Sequence, residues 1–153
     1  MYSRNEATQL KKQFWTVFGQ YMAPVHSGEG DKISWVNYKT GEKNIFFRLH
    51  ADTEKATVSL EITHSDAALQ KIYYEQFVNL KNIFTETMGE GWNWQLHSVD
   101  EYGKTVSKIY TELLDVSIYK QEDWPKLISF FKTNIIALDE FWSTVKYGFG
   151  LLR

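Results

Sequence analysis

Across residues 44–89 the hydrophobic pattern changes period, and that change limits what this chain can fold into. Ile45, Phe47 and Leu49 alternate with other residues, and Val58, Leu60 and Ile62 alternate with Thr57, Ser59, Glu61 and Thr63. This is the period-two signature of half-buried strands. From Ser65 onward Leu69, Ile72, Tyr73, Phe77, Leu80, Phe84 and Met88 recur every three or four residues, which predicts one long amphipathic helix. Two strands joined by a turn over residues 51–54, then a covering helix, follow from the pattern.

The flanks extend this frame. Ser3 and Glu6 form a capping box, in which serine oxygen and glutamate carboxylate satisfy N–H groups that the first turn leaves unpaired. The helix it opens carries Leu10, Phe14, Trp15, Phe18 and Tyr21, and should end near Met22, ahead of Pro24. Residues 25–31, with two glycines, read as a connection. Residues 33–39 read as a first strand, turned back by Gly41-Glu42 in a type II′ hairpin. In that register Tyr38 pairs with Ile45 and Val36 with Phe47, so Trp35 and Ile33 share the opposite face with Phe46, Arg48 and His50. A three-residue loop would bury Trp35 instead, and local pattern leaves both registers open.

Trp92, Trp94 and Leu96 mark a further strand, and Asp100-Glu101-Tyr102-Gly103 a turn. Residues 104–113 read as a mostly wet outer strand and residues 116–119 as a short sixth one. A last helix over residues 121–147 tolerates Pro125 in its first turn. Its apolar positions Trp124, Leu127, Phe131, Ile135, Leu138, Trp142, Val145 and Phe149 alternate spacings of three and four. The expectation is one α+β domain over residues 1–153. Its order is α-β-β-β-α-β-β-β-α, with a mainly antiparallel sheet and the helices chiefly on one face.

Composition narrows the function classes. The net charge of −2, with no basic block, disfavours nucleic acid as a partner without excluding it. The chain has no apolar run long enough for a bilayer, and Met1-Tyr2-Ser3-Arg4-Asn5-Glu6 lacks a signal-peptide core, so a cytoplasmic location with no membrane partner is expected. Zero Cys removes disulfides and thiolate chemistry, and four scattered His suggest neither a metal site nor a cofactor. The aromatic share is high: six Trp, nine Tyr and ten Phe exceed what a small core usually needs, and read either as a core built from large pieces or as aromatic surface offered to a protein partner.

Two places carry candidate chemistry. Trp35, Phe46, Arg48 and His50 combine the residue types of an interaction hot spot. At the strand-to-helix junction Glu61, Thr63, His64, Ser65 and Asp66 gather an acid, hydroxyls, an imidazole and a helix N-terminus. A hydrolase there would use Glu61 as base or ligand and His64 as ligand or acid, with Asp66 or Asp52 in support. The plainer alternative has Ser65 capping the helix, Asp66 complementing its dipole and Glu61 pairing with Arg48 or Lys43. A nuclease of the E-x-K type would need lysine where Thr63 stands.

Several segments resemble bacterial proteins of the domain-of-unknown-function family 4268. They are Glu6-Ala7 with Phe14-Trp15, Glu61-Ile62-Thr63-His64, Trp94-Gln95-Leu96-His97, Glu122-Asp123-Trp124-Pro125 and Ile136-Ala137-Leu138-Asp139-Glu140-Phe141-Trp142. The resemblance implies an accessory or recognition role beside nucleic-acid-processing or defence systems, because similar domains in longer relatives follow other regions, some of them nuclease-like. It transfers no site residue. Three readings follow: a non-catalytic interaction module, a metal-dependent hydrolase at the junction, and a homodimeric scaffold joined through the last helix.

Overall fold

The structure is a computed structural model and describes residues 3–152. Met1 and Tyr2, where the stretch without a signal-peptide core begins, and Arg153 lie outside the described residues. Helix α1 (Arg4–Met22) starts as the capping box dictates: Ser3 Oγ accepts the Glu6 N–H at 3.2 Å and donates to Glu6 Oε1 at 3.1 Å. Strands β1 (Ile45–Ala51) and β2 (Lys55–Ile62) form the expected hairpin, then α2 (Ala67–Asn79), α3 (Lys81–Met88), β3 (Asn93–Val99), β4 (Thr105–Leu114) and α4 (Trp124–Val145) follow. The fold is α+β, an antiparallel four-stranded sheet in the order β1-β2-β4-β3 with helices packed on it.

The element order is α-β-β-α-α-β-β-α, which corrects the expected α-β-β-β-α-β-β-β-α. Residues 33–39 form no strand, and Thr40 just beyond them is held by side-chain hydrogen bonds in place of a ladder. Trp142 Nε1 donates to the Thr40 carbonyl at 2.8 Å, and the Thr40 hydroxyl donates to the Ile45 carbonyl at 2.8 Å. A backbone offered such partners has no need of a strand neighbour. Residues 116–119 form no strand either. They cross the end of the β1–β2 hairpin, with the N–H groups of Val116 and Ile118 donating to the carbonyls of Glu54 and Asp52 at 3.2 and 3.1 Å.

The single central helix is two. Leu80 ends α2 and caps α3 at φ −96° and ψ 9°, outside helical geometry. The buried face of α2 also differs from the apolar stripe. Leu69 and Ile72 are exposed, while Gln70 is 1% exposed. Its Nε2 donates to the carbonyls of His64 and Thr105 at 2.9 and 3.0 Å, and its Oε1 accepts the Ser107 hydroxyl at 2.6 Å. Three hydrogen bonds make a fully satisfied buried amide a better occupant here than leucine, since an apolar side chain would take a donor from two carbonyls and an acceptor from the Ser107 O–H.

Strand β4 lies between β2 and β3, not at an edge, so its inner residue Ile109 is fully buried. Strands β1 and β3 are the edges. A bulge between Gln95 and Ser98 places His97 at φ 54° and leaves Leu96 exposed, ending the alternation that Trp94 begins.

Helix α4 sits on the sheet with the apolar positions of its stripe buried from Trp124 to Val145, as packing within the chain requires. Phe131 meets Phe14 and Phe18 of α1, Phe141 meets Phe77 and Phe84, and Trp142 meets Phe47 of β1. The aromatic excess is largely spent here, at contacts of the kind that add about 0.5 to 1.5 kcal/mol per pair beyond area burial.

Replacing Gln70 with Met keeps volume and removes the amide. Chemical denaturation of the variant should show a loss of about 1 to 3 kcal/mol with an unchanged m-value; an unaltered midpoint would refute the role given to this amide.

Candidate functional site

The inner residues of the sheet, among them Phe47, Leu60 and Trp94, face the helices. The alternation therefore sends Phe46, Arg48 and His50 of β1 to the opposite face, where they are exposed. The register aligns two rows across this outer face. Phe46, Glu61, Lys108 and Gln95 form one row, and Arg48, Ser59, Tyr110 and Asn93 the next.

Contacts within and between strands order this surface. The Arg48 guanidinium lies 4.5 Å from the Phe46 ring centroid, and its Nε donates to Glu61 Oε1 at 3.1 Å. Ser59 Oγ donates to Glu61 Oε2 at 2.8 Å, so both carboxylate oxygens are engaged. Lys108 lies over Tyr110 at 4.8 Å, and Lys55 reaches Glu112 at 2.7 Å. The Glu112 carboxylate raises the Lys55 ammonium above its usual range. Each such surface pair contributes at most about 1 kcal/mol, and their effect is to hold side chains in fixed rotamers on a rigid sheet.

Trp35 is not on this face. It is 3% exposed on the core side, its ring 6.1 Å from Tyr38 and its Nε1 donating to the Val25 carbonyl at 2.9 Å. The hairpin that would have carried it outward does not form. Phe46, Arg48 and His50 do share one face, with His50 Nε2 3.5 Å from Asp52 Oδ2. Lys108 and Tyr110 join them, which sequence reasoning missed because the wet pattern of β4 suggests an edge. Their signal was present in the alternation of polar and aromatic residues at positions 108, 110 and 112.

The junction residues are not brought together. Glu61 points to the outer face with Arg48 and Ser59, whereas His64 is 6% exposed on the inner side, its ring 4.2 Å from Tyr73. A spacing of three along an extended chain sends two side chains to opposite faces. Asp66 caps α2, its Oδ1 accepting the N–H groups of Ala68 and Leu69 at 2.9 and 3.1 Å. Asp52 accepts the N–H groups of Glu54 and Lys55 at 2.8 and 3.0 Å; burial works to raise its pKa, and these bonds outweigh it. Thr63, where a nuclease would need lysine, sits 3.4 Å from the Asn44 carbonyl. Among the described residues no group of three His, Asp or Glu has metal-binding geometry.

The chain matches the model of a family described as Domain of unknown function (DUF4268) over residues 10–146. It belongs to that family. Comparison with curated proteins and with solved structures found no match. The DUF4268 description carries no activity to transfer, so the side-chain arrangement bears the functional argument. None of the described helices is long and apolar enough to cross a membrane.

His64 generates a pH prediction. Among the described residues its Nδ1 has no hydrogen-bond partner. Burial lowers its pKa, partly opposed by the Glu42 carboxylate. The imidazole is thus neutral when folded and takes up a proton more readily when unfolded, near pH 6.5. Its contribution is complete above that value and is lost as pH falls towards the lower folded pKa. Unfolding free energy measured from pH 7.5 to 5 should decline more steeply in the wild type than in His64→Phe; parallel curves would show that His64 is not responsible.

Proposed function

We propose that this chain is a non-catalytic binding module whose partner is a protein docked on the outer face of the sheet. The supporting observation is the joint display of Phe46 under Arg48 and Tyr110 under Lys108, on a face that bears no helix. Aromatic and arginine side chains held rigidly at low entropic cost are the usual anchors of protein interfaces. The charges also favour a protein over a nucleic acid. Arg48, Lys55 and Lys108 are interleaved with Glu61 and Glu112, and Arg48 and Lys55 are already paired. Such a lattice lacks the cationic field that a phosphate backbone requires and suits a partner surface of mixed sign.

An accessory role beside nucleic-acid-processing or defence systems is the cellular setting that the family resemblance suggests, with the partner being another protein of such a system. The junction hydrolase has weaker support, since Glu61, His64 and Asp66 diverge.

A partner identified by affinity capture in the presence of nuclease should be tested by titration. Phe46→Ala and Tyr110→Ala should each weaken it by about 2 kcal/mol, roughly thirty-fold in Kd, whereas Ile83→Ala on the helical side should leave it unchanged. Equal binding by all three variants would refute this face as the docking surface.

A further inference from the structure

A second place on the molecule has the attributes of a small-ligand site and lies apart from the sheet face. Residues 23–44 form a long irregular segment, uncommon in a compact fold unless it serves a purpose. It is pinned to the C-terminal half of α4 by a stripe of side chains one and two turns apart. Trp142 takes the Thr40 carbonyl, and Lys146 holds Glu29 at 2.7 Å. Asp139 Oδ2 accepts the Gly28 N–H at 2.6 Å and Oδ1 accepts the Tyr38 hydroxyl at 2.5 Å. Between segment and helix lies a cleft of about 370 Å³ with Asp139, Ser143 and Lys146 on the α4 side. That volume is within the range of small-molecule sites.

Asp139 decides its chemistry. The residue is 2% exposed and lines the cleft. A buried carboxylate is normally balanced by a cation. Among the described residues no lysine, arginine or histidine lies within ion-pair distance of it; nearby Lys146 feels the Asp139 charge but is engaged by Glu29 at 2.7 Å. Its two partners are neutral. Burial, with the hydrogen bond and charge of Asp139 after it, pushes the Tyr38 phenol well above its usual range, so Tyr38 remains a protonated donor. The lining carries three carboxylates, Glu29, Asp31 and Asp139, against two ammonium groups, Lys39 and Lys146.

We propose that this cleft binds a small alkylammonium compound, with the ammonium group against Asp139. Three N–H donors of such a group match the acceptors of the lining: the Asp139 carboxylate and the Ser143 hydroxyl, whose Oδ2 and Oγ each lie 3.3 Å from where a Cβ on Gly28 would stand, and the Asn37 side chain at the exposed rim. Ile33 and the Tyr38 ring provide apolar wall for the alkyl part. A bare divalent ion is a poorer fit, because no group of three His, Asp or Glu among the described residues has metal-binding geometry.

Three probes with a short alkyl chain and different head charge test this: n-butylammonium, 1-butanol and butyrate, titrated into the ¹⁵N-labelled chain at pH 7 while the amide signals of Gly28, Ser34 and Ser143 are followed by NMR. The expected result is a saturable shift with butylammonium, half-complete at about millimolar concentration as befits a five-atom ligand, and binding at least about tenfold weaker for the neutral and anionic probes. Asp139→Asn, whose amide retains an acceptor for the Gly28 N–H and a donor for the Tyr38 oxygen, should abolish the shift. Asn37→Trp tests the same point without touching Asp139, by filling the cleft from its exposed rim, and should also abolish it. Equal response to butanol or butyrate, a shift that persists in Asn37→Trp, or no saturable shift at these amides would overturn the proposal.

Discussion

Trp142 is the side chain on which the arrangement of this molecule depends. At 2% exposure its ring packs against Phe47 of the sheet, Phe77 of α2 and Phe149 of the 3-10 segment Lys146–Leu152 that follows α4, while its Nε1 holds the Thr40 carbonyl. One residue therefore joins the sheet, a second helix, the C-terminal segment and the irregular segment before β1. Tryptophan suits this position because its large apolar body carries a single donor, which must find an acceptor once buried.

The same logic recurs wherever polar atoms enter the interior. Gln70 closes the gap between α2 and the start of β4, and Asp139 holds Gly28 and Tyr38, both through hydrogen bonds made across long stretches of chain. These contacts offset the entropy of ordering residues 23–44 without a strand partner. They also explain why the molecule has two kinds of surface feature. The outer sheet face is ordered by the ladder and by pairs of neighbouring side chains on it, whereas the cleft exists because an irregular segment, held only at a few points, cannot pack as densely against a helix as another helix would.

Much of the fold was legible. The capping box at Ser3, the hairpin of β1 and β2 and the buried stripe of α4 all follow from spacing along a short stretch of chain. So does the exposure of Phe46, Arg48 and His50, given the span of β1. The separation of Glu61 from His64 is legible too, since a spacing of three on an extended chain sends them to opposite faces, and that spacing alone argues against a shared site at the junction. Asp139 leaves a faint signal as a carboxylate beside Leu138 within the most apolar helix, though nothing local shows that its partners are Gly28 and Tyr38.

What the sequence by itself determined is the set of local periods and caps, because those depend on neighbours within a turn or a pleat. Only the tertiary structure decided that residues 33–39 give up a ladder, that Trp35 turns inward, that β4 lies inside the sheet and that the central helix breaks at Leu80. Partners distant in sequence enter several of the contacts involved, as Trp142 does for Thr40, and the same holds for Gln70 with Thr105 and Ser107. A backbone whose local preference is weak adopts whichever conformation lets such partners be satisfied, and the identity of those partners is a property of the assembled fold.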